Sequence, residues 1–130
     1  MLQQDNRLRK LRDFNLVLKH GYWANGQFLD IKVLELAKST KFFPVKEDPV
    51  SFQNQLKLAI STGLKVHKSA VKRNRVRRQV REVLRLLLKD SVIKNGFYIL
   101  VVVKKDILNK DYASISQELK VLLSRAKVLK

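Results

Sequence analysis

Cysteine is absent from the 130-residue chain. Disulfide staples, Cys-based zinc sites and a catalytic thiol are therefore excluded. Histidine is nearly absent too: His20 and His67 stand far apart, which leaves no histidine pair for acid–base work. Acidic residues number only 11, from Asp5 to Glu118, and show no tight metal-binding spacing. Glu47 and Asp48 are adjacent, but in a segment that reads as solvated loop. Long apolar runs are missing. Leu86–Leu88 and Ile99–Val103 fall far short of the about 20 residues that span a bilayer. The N-terminal MLQQDNRLRKLRDF lacks the apolar stretch of a signal peptide. The expected setting is the cytoplasm, with no membrane partner and no protein-ligated metal.

What the chain has in excess is positive charge. Its 28 Lys and Arg against 11 Asp and Glu give a formal net charge of +17. Small soluble domains usually carry roughly 2–8 units. An excess this large repels itself until a polyanion neutralises it, and nucleic acid is the expected partner. The length suits a single domain over 1–130.

Hydrophobic periodicity predicts an extended basic arm over 1–11 and a helix over 12–20. Leu11, Phe14 and Leu18 form the apolar side of that helix and Gly21 ends it. Strands are predicted at 28–36, with Leu29, Ile31 and Val33 on one face, and at 56–62. Residues 38–55 hold both prolines and read as a long surface loop, with room for another short strand in or near it. A long helix over 69–89 is followed by the turn Lys94-Asn95-Gly96. The run FYILVVV over 97–103 reads as a central strand covered on both faces. A last helix over 111–127 carries Ile115, Leu119, Leu122 and Leu123 as its stripe. These elements predict an α+β sandwich, helices packed on a small sheet.

The long helix carries the chemistry. At about 100° per residue, Val76, Val80, Val83, Leu84 and Leu87 gather on one side. Asn74, Arg77, Arg78, Arg81 and Arg85 gather on the other, with Glu82 the counter-charge among them. A solvated helix face normally mixes signs so that neighbours attract. Here neighbours repel unless a partner arrives. Guanidinium is planar, always charged and able to hold two phosphate oxygens. Such a row tracks a sugar–phosphate backbone without reading sequence. A DNA-reading helix would present mixed base-reading side chains instead.

The run Arg73-Asn74-Arg75-Val76-Arg77-Arg78, followed by Arg81-Glu82, resembles the RNR helix of the bacterial ribonuclease P protein family. Other pieces agree in order: Asn6–Lys10, Asp13-Phe14 through His20-Gly21, Lys57–Ser61, Asp111-Tyr112 and Leu122–Lys127. The likeness covers nearly the whole chain except 38–55. It implies a mixed-sheet, ribosomal-protein-like sandwich with a left-handed βαβ crossover. It also implies a protein subunit of a ribonucleoprotein endonuclease that trims the 5′ leader from precursor tRNA. The active site and its Mg²⁺ are then expected in the catalytic RNA. Arg73, Asn74, Arg75, Arg77, Arg78, Arg81 and Arg85 are the implied contacts to that RNA. Phe14, Leu18, Phe28, Ile31, Lys65 and Lys68 are the implied contacts to the leader. Leu18 stands where the family commonly has an aromatic residue, and Ile31 where it often has tyrosine. A non-catalytic ribosomal or RNA-chaperone protein of the same α+β type is the alternative that composition leaves open.

Overall fold

Strand β4 (Phe97–Val103) lies inside a mixed sheet because its β-branched and aromatic run has apolar partners on both faces. The computed structural model describes residues 6–42, 53–62 and 66–130. Within them β2 (Leu29–Glu35) pairs antiparallel with β4, and β3 (Leu56–Ser61) pairs parallel with it. The fourth strand, β1 (Tyr22–Asn25), forms an antiparallel hairpin with β2, giving the order β1-β2-β4-β3. Among the described residues the additional strand is β1, outside the 38–55 loop. It precedes β2, and only Ala24 of its four residues is buried. Residues 43–52 of that loop lie outside the described residues, and Thr40–Phe42 forms a single 3₁₀ turn.

The helices divide between the two sheet faces. Helix α1 (Leu11–His20) covers one. There Val17 and Leu8 pack with Leu34, Leu36, Tyr98 and Leu100. Helices α2 (Ala70–Lys89) and α3 (Tyr112–Arg125) cover the other. There Val80, Val83, Leu84, Leu119, Leu122 and Leu123 meet Leu29, Ile31, Val33, Ile99 and Val101. Alternation along each strand sorts its side chains between these two cores.

Caps and pins fix the elements. The Ser69 hydroxyl accepts the Lys72 N–H at the start of α2, and the Asp111 carboxylate accepts the Ser114 N–H at the start of α3. That second bond holds the Asp111 carboxyl below the usual aspartate range. From α3, Glu118 accepts the N–H groups of Gln27 (2.7 Å) and Phe28 (3.1 Å), tying the β1–β2 turn to the helix.

Helix α1 sits differently from the sequence expectation. Val17 and Asp13 face the sheet, while Leu11 is 73% and Leu18 41% exposed. The helix is turned by about one residue's rotation, 100°, from the Leu11–Phe14–Leu18 stripe. Asp13 tolerates its buried place because Arg12 donates to it at 3.1 Å. The turn leaves the apolar side chains of Leu11 and Leu18 facing outward.

Candidate nucleic-acid interface

Helix α2 docks through its valine and leucine stripe, so its opposite side faces solvent. The arginines of the helix differ in what they touch. Arg73 donates to the carbonyls of His67 and Lys68 at 3.0 Å each and braces the turn before the helix. Arg77 is aimed by the Asn74 side-chain oxygen (2.8 Å) and the Thr62 hydroxyl (2.6 Å). Arg85 is paired with Glu82 at 2.6 Å, a contact that lowers the Glu82 carboxyl and raises the Arg85 guanidinium. Arg75, Arg78 and Arg81 make no hydrogen bond or ion pair with any described residue. The ridge is therefore outward-facing and mostly unneutralised, with Arg85 its one carboxylate-paired member among the described residues.

Acid placement reinforces this. Asp13 pairs with Arg12, Glu35 with Lys38, and Asp30 with Lys104. Glu118 and Asp111 bond backbone N–H groups. Glu82 alone of these carboxylates stands on the ridge.

The arm adds a wall that the sequence reading did not assign to a site. Leu8 donates its N–H to the Leu58 carbonyl at 2.9 Å, and the Asn6 amide donates to the Leu56 carbonyl at 2.8 Å. Arg7 bridges Leu58 in parallel, so the arm extends the sheet beyond β3. Leu8 is buried, and its neighbours Arg7 and Arg9 flank a groove of about 310 Å³ with Ala59, Ile60, Arg77 and Arg81. The signal was present in the alternation Arg7-Leu8-Arg9, which reads as a strand with one apolar face. Four guanidinium groups thus line one channel between arm and helix.

The expected leader residues are not brought together. Phe14 is half-buried against the α1-side core, Leu18 is exposed beside it, and Lys68 is exposed before α2. Lys65 lies outside the described residues. Ile31 is 0% and Phe28 5% exposed, and both belong to the core on the opposite face, under α3. Strand parity is the reason: Ile31 shares its face with Leu29 and Val33, as the period of two requires. The α1 side of β2 presents Lys32 and Leu34 instead. Ile31 and Phe28 thus lie with the opposite core, and only Phe14 and Leu18 of the four apolar candidates lie along α1.

Among the described residues, no three His, Asp or Glu come together as metal ligands. No helix among them is long and apolar enough to cross a membrane.

A mixed α+β sandwich with an arginine ridge and a basic groove has the features of an RNA-binding protein. The ribonuclease P family model matches residues 2–127. The ribonuclease P protein component of Cyanothece sp. is 35% identical over 130 residues, covering 99% of this chain and 98% of that protein. That of Pseudanabaena sp. is 34% identical, covering 99% and 97%. The ribonuclease P protein of Thermotoga maritima superposes with TM-score 0.70 at 26% identity, covering 92% of this chain and 96% of that one. The Staphylococcus aureus protein gives 0.72 at 23% identity over 100% and 96%, a likeness of fold. The chain belongs to the bacterial ribonuclease P protein family.

Proposed function

We propose that the chain works as the protein subunit of ribonuclease P. It binds the catalytic RNA along the α2 ridge and the arm groove, and it holds the 5′ leader of precursor tRNA beside α1. The carrying observation is the row Arg75, Arg78 and Arg81, which has no partner among the described residues. Bringing leader, tRNA and catalytic RNA together crowds three polyanions. A wedge of +17 offsets their repulsion. Hydrolysis of the phosphodiester bond is the work of the RNA subunit and its Mg²⁺. This chain's own residues position strands and supply fixed positive charge. Its site of action is the cytoplasm, where precursor tRNA is made.

The protein should lower the Mg²⁺ that cleavage requires, because its arginines take over part of the ion's screening. Cleavage of precursor tRNA by a cognate catalytic RNA, at limiting Mg²⁺ with and without the protein, tests this. Faster cleavage with the protein, and convergence of the two at high Mg²⁺, is the expected result. Equal rates at every Mg²⁺ concentration would remove the reading.

A further inference from the structure

The chain has a single tryptophan, Trp23, and it sits on the edge strand of the sheet. It is 46% exposed. Its strand neighbour Ala24 is buried in the α2–α3 core, so Trp23 projects to the α1 side. Directly across the ladder is Lys32, whose ammonium lies 4.9 Å from the centre of the indole ring. The same ammonium donates to the Leu18 carbonyl of α1. Lys32 therefore links the Trp23 ring to the backbone of α1 at Leu18.

Lys32 is the unusual member. It is 9% exposed, yet no carboxylate pairs with it among the described residues. A buried charge is normally paired with an opposite one. Here it has a carbonyl and one face of an aromatic ring. Both hold the ammonium in place and leave its charge uncancelled. The indole is thus backed by a cation, while nearly half of the tryptophan stays exposed. Bases stack on aromatic faces whatever their sequence, and positive charge beside the ring attracts the attached phosphate.

We propose that Trp23, backed by Lys32, is a stacking platform for one unpaired base of the single-stranded leader. This rests on the reading that the leader runs beside α1. The platform lengthens the track from Phe14 and Leu18 across the sheet to its β1 edge. It also offers an aromatic surface that the buried Phe28 and Ile31 do not.

Trp23 is its own reporter in the holoenzyme, since the RNA subunit has no tryptophan. Addition of leader-bearing precursor tRNA is expected to quench its emission, and mature tRNA without a leader is expected not to. Trp23→Ala should weaken holoenzyme affinity for leader-bearing precursor by about tenfold while sparing affinity for mature tRNA. Trp23→Phe, which keeps a ring, should recover most of the loss. If wild-type holoenzyme favours leader-bearing substrate and Trp23→Ala does so equally, the platform is wrong and the wider reading stands. If wild type itself ignores the leader, the wider reading fails. A concentration-dependent emission shift in protein alone, with no response to leader, would assign the Trp23 surface to a second copy of the chain and overturn the proposal.

Discussion

Replacing Arg77 and Arg81 together with alanine is expected to weaken binding of the catalytic RNA on the order of 100-fold, each charge-assisted contact being worth about 1.5 kcal/mol. The two side chains line the groove between α2 and the arm, so both face the same bound strand. Arg77 is already aimed by Asn74 and Thr62, so little order is lost when it meets a phosphate. The salt dependence should flatten as well. Loss of two phosphate contacts lowers the log–log slope by about 1.4–1.8. Arg85→Ala is the internal contrast. Glu82 already cancels much of its charge, so its removal should change affinity and slope far less. Binding titrations over a series of salt concentrations measure both quantities. An unchanged slope in the double variant would mean that these arginines do not meet phosphate.

The second large effect concerns the placement of α1. Gly21 joins that helix to β1, and its backbone N–H is bonded to the Val17 carbonyl at 2.9 Å. A methyl group added there would stand 2.5 Å from the Val17 oxygen and 2.9 Å from the Val33 oxygen. Both are backbone atoms, so relief requires α1 to move off the sheet. Gly21→Ala should therefore cost about 2 kcal/mol, within the usual range for overpacking. At about 4 °C per kcal/mol for a domain of this size, the Tm should fall by about 8 °C. Affinity for the leader should fall with it, because Leu18 and the Lys32 anchor move with α1. Affinity for the catalytic RNA should change little, since α2 packs on the opposite face of the sheet. Thermal denaturation, followed by the two binding measurements, checks this. A Tm within a degree of wild type would show that the junction yields without displacing the helix.

Legibility in the sequence followed the strength of local pattern. The FYILVVV run and the α2 stripe each state their face many times over, and both elements lie where periodicity puts them. The ridge was legible for the same reason, since docking by Val80 and Leu84 leaves the arginines no other side. Strand β1 was not. YWAN is short and mostly exposed, and it exists because Trp23 and Ala24 pair with Lys32 and Ile31. The rotation of α1 was hidden because a buried Asp13 defies the apolar pattern and depends on its contact with Arg12. Ile31 shows how a resemblance and local physics part. Likeness to the family put it at the leader, whereas its alternation with Leu29 and Val33 assigned it to the core. Arg7 and Arg9 joined the site through pairing of the arm with β3, a contact some 50 residues away in sequence, as in the Asn6–Leu56 bond.

The outward ridge is tested most directly by photo-crosslinking. A photoreactive side chain at position 78, on the exposed side of α2, is compared with one at position 121, on the exposed side of α3. The protein reconstituted with its catalytic RNA should crosslink to that RNA from position 78 and not from position 121. Equal yields from both positions, or crosslinks from position 121 alone, would contradict the orientation on which the function rests.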